Sequence, residues 1–307
     1  MKRSDSPAAR QLTLFERRLV ESSPKTLDVP DKALFQHSAL CQTCLPYREP
    51  MDEEGRPLRE WERTQGQLWL SIEAGKVRSP RGETVKLGLP YGPKPRLILA
   101  HLNAEALRTK NPEIEVEQSL TAFINRLRLD ANGYTIKRVK DQLARLAAAR
   151  MQWSFTNGKV APNFKDDIIK RFDIWFEKDA RQRVMWPSVI RLDPAYFESL
   201  QEHAVPLHPE ALAALSHSAM GLDIYAWLAQ RLHRVPAGSP QLVTWKALQD
   251  QFGQEYGRLR KFREVFNLTL AKVRTQYTDA KIDVTKAGLK LQHSFPPVYY
   301  RRPTLIG

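Results

Sequence analysis

The stretch Gly257–Tyr277, "GRLRKFREVFNLTLAKVRTQY", decides how the second half of this chain is read. Leu259, Phe262, Phe266, Leu270 and Val273 recur at helical spacing, so one face of a long helix is apolar. The opposite arc holds Arg258, Arg260, Lys261, Glu264, Asn267 and Lys272. Six basic residues stand against one acid, Glu264, across the stretch. A solvated basic face would look the same on one helix alone, so the neighbouring segments have to decide.

Upstream, "GLDIYAWLAQRLHRV" (Gly221–Val235) has Ile224, Tyr225, Leu228 and Leu232 on one side of a predicted helix. "PQLVT" follows as a short strand, and "WKALQDQFG" (Trp245–Gly253) as a helix ended by glycine. Downstream, "AKIDVTKAGLKLQHS" splits into two strands about a turn at Ala287-Gly288. Helix, strand, helix, helix, hairpin is the order of a winged helix, whose last helix enters the major groove.

The first half repeats that order. Pro93 and Pro95 open a helix whose stripe is Leu97, Ile98, Leu102, Ala106 and Leu107. "NPEIEV" predicts a turn and a strand, and Ser119–Leu129 a second helix. Asn132-Gly133 breaks the chain, and Thr135 is placed to cap a third helix reaching Arg150, with Ile136, Val139, Leu143 and Leu146 on one face. On its outward side stand Lys137, Arg138, Asp141, Gln142 and Arg145. The alternating "MQWSF" (151–155) is a strand closed by the hairpin signal Asn157-Gly158. "LWLSI" (Leu68–Ile72), "RFDIWF" and "RVMWPSVIRL" read as further strands. The expected fold is α+β: two tandem winged-helix domains, residues 61–194 and 195–307. Residues 1–60 precede them as a flexible tail and irregular lead-in.

Charge points the same way. The 307 residues carry 48 Lys+Arg against 34 Asp+Glu, a net +14 that suits a polyanionic partner. Arg, Lys, Asn and Gln on an outward helix face reach base edges and phosphates, so duplex DNA is the predicted ligand. The DNA-binding residues are then Lys137, Arg138, Gln142, Arg145, Arg258, Arg260, Lys261, Glu264, Asn267 and Lys272. Turn lysines Lys159, Lys286 and Lys290 are phosphate contacts at most. No apolar run approaches the roughly 18 residues of a membrane span, and "MKRSDSPAAR" lacks the apolar core of a secretory signal. With two cysteines only, the expected location is cytoplasmic.

Catalytic patterns are missing. There is no phosphate-cradling G-x-x-x-x-G-K-[ST] loop and no His-x-His triplet. His37, Cys41 and Cys44 offer three zinc ligands where a structural site takes four, so no metal and no cofactor is assigned. Asp166-Asp167 is the best handle for a nuclease or primase, but adjacent acids suit a solvated loop better than one metal site. The expectation is a protein that is not an enzyme.

The segments "LGLPYGPKPRLILAHLNAEA" (Leu87–Ala106) and "ALFQHSALCQTCLPYREP", with the two helix–strand patterns, resemble the RepA-type plasmid replication initiators over roughly residues 30–295. "LPYGPKPRL" is the most specific part. The resemblance implies tandem winged helices that bind direct repeats (iterons) at a plasmid origin. It further implies recruitment of the host initiator and replicative helicase, and homodimers that repress their own gene while monomers initiate. Near the start, "QLTLF" (Gln11–Phe15) resembles the peptide by which bacterial replication proteins engage the polymerase sliding clamp. The clamp-binding residues are then Gln11, Leu12, Leu14 and Phe15, with Leu14 and Phe15 filling an apolar pocket while the Gln11 amide makes polar contacts. The competing reading of that stretch is an amphipathic helix resting on the protein itself. The competing reading of the whole is a winged-helix transcriptional regulator with no role in replication.

Overall fold

Strand β1 (Leu34–His37) pairs antiparallel with β11 (Ala204–Leu207), so the lead-in and the second half of the chain share a sheet. The structure is a computed structural model that describes residues 33–78, 82–115, 124–125, 129–155, 163–165, 168–172 and 189–298. The lead-in, expected to be irregular, continues into α1 (Ser38–Thr43) and buries Leu40, Cys41, Cys44 and Leu45. His37 caps α1: its Nδ1 accepts from Ala39 N, and its Nε2 lies 3.0 Å from Ser199 Oγ. Elements this short give no periodicity of their own. Their partners lie far along the chain, so local pattern cannot find them.

The first half builds one sheet in the order β2-β3-β7-β8, from β2 (Glu60–Gln65), β3 (Leu68–Glu73), β7 (Arg150–Phe155) and β8 (Asn163–Lys165). The expected strand at Leu68–Ile72 lies at its centre, and Leu70 and Ile72 are buried. A separate ribbon joins β4 (Lys76–Arg78) to β5 (Thr84–Lys86). A third sheet runs β6-β10-β9, from β6 (Glu113–Glu115), β9 (Ile169–Phe172) and β10 (Val189–Leu192).

Two helices occupy the centre. α2 (Pro93–Thr109) buries the expected Leu97, Ile98, Leu102, Ala106 and Leu107, but also Leu99, Ala100, His101, Asn103 and Ala104. After α3 (Gly133–Ala148), α4 (Pro194–His203) and α5 (Pro209–Ala214) comes α6 (Ala219–Arg231), buried from Ala219 through Gln230. A helix buried on every side belongs inside a larger body rather than on its surface, and its one acid, Asp223, is paired there. Caps set the starts. Ser218 Oγ accepts from Gly221 N, and Asp193 Oδ1 accepts from Ala195 N ahead of Pro194. Asn132 rather than the expected Thr135 caps α3: its Oδ1 accepts from Thr135 N.

After α6 the order is β12 (Gln241–Thr244), α7 (Trp245–Phe252), α8 (Leu259–Gln276), β13 (Ile282–Val284) and β14 (Gly288–Leu291). The strands form a sheet in the order β12-β14-β13. Gly253 ends α7 at φ −131°, not in the left-handed region, so backbone freedom does not explain it. A Cβ there would lie 2.3 Å from the Phe262 ring, and it is close packing that requires glycine. The halves are bolted together through Arg63 on β2, which donates to the carbonyls of Thr43 and Gln251.

Candidate nucleic-acid interface

Helix α8 divides as its sequence demands. Phe262, Phe266, Leu270 and Val273 are buried, with Phe266 in ring contact with Trp245, Phe252 and Phe262. That aromatic stack fixes α8 on α7 and leaves the other side in water. Arg258, Arg260, Lys261, Glu264 and Lys272 are all exposed. Lys261 Nζ and Glu264 pair at 3.2 Å with both side chains in solvent, a contact worth little. Two expectations on this helix differ. Leu259 is 39% exposed because the first turn overhangs the core, and Asn267 is half-buried, its amide oxygen without a partner among the described residues. One of the six cations faces inward: the Arg263 guanidinium lies 4.8 Å from the Trp245 ring centroid. Leu268 stands 63% exposed in the middle of the outward face, a feature the charge reading passed over.

The hairpin beside α8 is held from several points. Trp245 Nε1 donates to Thr285 O, Trp245 N donates to Ala287 O, and Thr285 N donates to Gly288 O. A Cβ on Gly288 would lie 2.0 Å from Val243 O, so only glycine lets β14 approach β12 here. Lys286 and Lys290 are exposed on this hairpin.

Helix α3 has the same order of charges and a different use for them. Lys137 is exposed. Arg138 donates to Tyr91 Oη at 3.0 Å, with its guanidinium over the same ring. Gln142, expected to point outward, is fully buried: its Oε1 accepts from Tyr91 N at 2.8 Å and its Nε2 donates to Asp141. Arg145 pairs with Glu49 and Asp141 and donates to Leu89 O. Those carboxylates raise its pKa although burial opposes them. Apart from Asp141 on α3 itself, the partners lie 47 to 96 positions away, at Glu49 and at Leu89–Tyr91, which no local pattern connects to α3.

The sequence of residues 89–247 matches the family model of the plasmid-encoded RepA protein. That span is more than half of the chain. The chain belongs to the RepA family of plasmid replication initiators. No curated protein matches it significantly in sequence. Among solved structures, it resembles a selenomethionine derivative of domains 2 and 3 of RctB at a TM-score of 0.53 and 10% identity, covering 83% of this chain and 98% of that one. A second structure of RctB domains 2-3 gives 0.50 and 11%, covering 80% and 83%. At such identities the likeness is one of fold.

The RepA match begins inside the "LPYGPKPRL" stretch, and the contacts there explain its residues. Arg96 is buried on α2, and its five N–H donors are all used. Nε and Nη2 grip Asp223 of α6 at 2.7 Å each; Nη2 also donates to Leu45 O, and Nη1 donates to Gly92 O and Pro46 O. The Tyr47 ring covers the guanidinium at 5.3 Å. Tyr91 is the residue that Arg138, Gln142 and Arg145 hold. The RepA match ends in α7, so α8 lies beyond it.

Among the described residues no group of three His, Cys, Asp or Glu is placed to hold a metal ion, and no helix is long and apolar enough to cross a membrane. Cys41 and Cys44 are free and buried, and burial pushes both thiols up. Gln11, Leu12, Leu14, Phe15, Lys159 and Asp166-Asp167 lie outside the described residues, as do Asn157-Gly158 and most of Ser119–Leu129.

Proposed function

We propose that this RepA-family chain initiates plasmid replication by binding direct repeats at the origin through two winged helices, with α8 in the major groove. The observation that carries the reading is the outward face of α8. It holds Arg258, Arg260, Lys261, Glu264 and Lys272 in solvent on a helix clamped from behind by aromatic rings. Such a face offers donors for guanine and phosphate and an acceptor for cytosine. The β13–β14 hairpin, with Lys286 and Lys290 exposed, supports the role of a wing on the adjacent backbone. With Arg138, Gln142 and Arg145 turned toward the protein, the first winged helix serves as the weaker DNA contact, through Lys137 on phosphate, or as a dimerisation surface.

Under this reading the protein is not an enzyme. It works in the cytoplasm and recruits the host initiator, the replicative helicase and, through Gln11–Phe15, the sliding clamp. Dimers of it repress its own gene. Footprinting of the full chain on the DNA flanking its gene tests the proposal. Protection of tandem direct repeats is the expected result; protection of a single inverted repeat at the promoter would favour the transcriptional regulator. For the tail, a synthetic peptide spanning Gln11–Phe15 should bind the clamp at micromolar scale, near about −8 kcal/mol. The Leu14→Ala, Phe15→Ala peptide should give no heat.

A further inference from the structure

The β4–β5 ribbon precedes the helix–strand pattern that begins at α2, and its cations have no assigned role. Its register places Lys76 directly opposite Lys86, with Arg78 opposite Thr84 and Val77 opposite Val85. Side chains two apart share a face, so Lys76, Arg78 and Lys86 point one way, and all three are exposed. Val77 and Val85, on the other face, are half-buried. Like charges directly across a rung destabilise a sheet, and an isolated two-stranded ribbon is marginal in water. Among the described residues neither Lys76 nor Lys86 has an acidic partner. A lysine on one strand is enough to discourage edge pairing, so protection of the edge does not explain two in opposition.

The base of the ribbon is held firmly. Arg59 donates to the carbonyls of Ala74, Gly75 and Leu87, bridging the two ends. A Cβ on Gly75 would lie 1.8 Å from Ala148 O, so the ribbon springs from direct backbone contact with the end of α3. Repulsion at the rung is therefore kept in place by the anchor rather than relaxed by fraying. A positively charged face held outward at a cost to the free protein fits a polyanion.

We propose that the β4–β5 ribbon is a third DNA contact, in which Lys76, Arg78 and Lys86 lie on the phosphate backbone. It acts without sequence preference and beside the base reading of α8. This rests on the DNA-binding function proposed above. The test measures affinity against salt concentration for the full chain, on the origin duplex and on a scrambled duplex. Each phosphate contact contributes about 0.9 to the slope of log K against log salt. The Lys76→Ala, Arg78→Ala, Lys86→Ala variant should lower the slope by about 2 to 3 on both duplexes. Affinity should fall by the same factor on each, leaving the preference for the origin intact. Lys86→Glu, which replaces the repulsive rung with an attractive one, should raise the melting temperature and still weaken DNA binding. Higher melting with unchanged affinity and slope would overturn the ribbon's role while leaving α8 as the reader. Absence of DNA binding in the unsubstituted chain would overturn both.

Discussion

Helices α3 and α8 carry similar charges opposite similar apolar stripes, and the fold surrounds those charges in opposite ways. In α3 the guanidinium of Arg145 lies against Glu49 and Asp141, Arg138 against Tyr91, and Gln142 inside the core. In α8 Arg260 and Lys272 find no such surroundings and remain in water, and Lys261 meets only the exposed Glu264 of its own helix. A basic helix face thus stays in solvent where the rest of the fold brings no carboxylates or carbonyls to meet it. Counting charges along a helix cannot distinguish the two cases, because the deciding partners come from elsewhere.

The contrast predicts a clean exchange of phenotypes. Its largest effect belongs to the Arg96–Asp223 anchor between α2 and α6. Arg96→Ala leaves Asp223 buried and unpaired and should cost about 3–5 kcal/mol of stability in chemical denaturation. Arg96→Met with Asp223→Leu should recover most of that loss. On α8, Arg260→Ala or Lys261→Ala should weaken specific DNA binding by about 1–3 kcal/mol in titrations and leave the unfolding midpoint unchanged. Arg145→Ala should do the reverse. It should cost about 1–2 kcal/mol of folding stability, below a fully buried pair because Glu49 and Asp141 stay partly wet, with no change in the footprint. Equal effects of Arg145→Ala and Arg260→Ala on DNA binding would erase the distinction between the helices.

Acid acts through two imidazoles in the packing, His37 at the cap of α1 and His233 just after α6, rather than through either helix face. Burial, with His203 nearby, holds His37 down to about 3, and burial holds His233 down to about 4. Both imidazoles are neutral in the folded protein and protonate near 6.5 once unfolded. The unfolded state binds more protons below that value. The stabilising contribution is therefore complete above pH 6.5 and declines as pH falls toward 4, by about 1 kcal/mol per unit for each histidine. His37→Gln should flatten that decline in a pH series of denaturant midpoints.

Periodicity revealed much of this fold, and distance along the chain hid the rest. Phe262, Phe266, Leu270 and Val273 announce their burial by spacing alone, and so do Val139, Leu143 and Leu146. The strands at Leu68–Glu73 and Arg150–Phe155 follow from alternation. The ordered lead-in was not legible, since a four-residue strand and a six-residue helix carry too few repeats to show a period. Gln142 was misplaced because its partner, Tyr91 N, is 51 positions away. Leu259 was misplaced because helical phase says nothing about whether a core extends under the first turn.

The bolts between the halves bear on how the protein is made. Arg96 and Asp223 are 127 positions apart, His37 and Ser199 are 162, and Arg63 and Gln251 are 188. Topologies rich in such distant contacts fold slowly, although closing a longer loop adds little to the final cost. Leu40, Cys41, Cys44 and Leu45 leave the ribosome early, yet the helix α6 they pack against is not complete until Arg231. At about 5–20 residues per second, that interval is on the order of 10 to 35 s. Throughout it the strap has only β2, β3 and α2 to pack on, and the side that α6 covers stays open to chaperones.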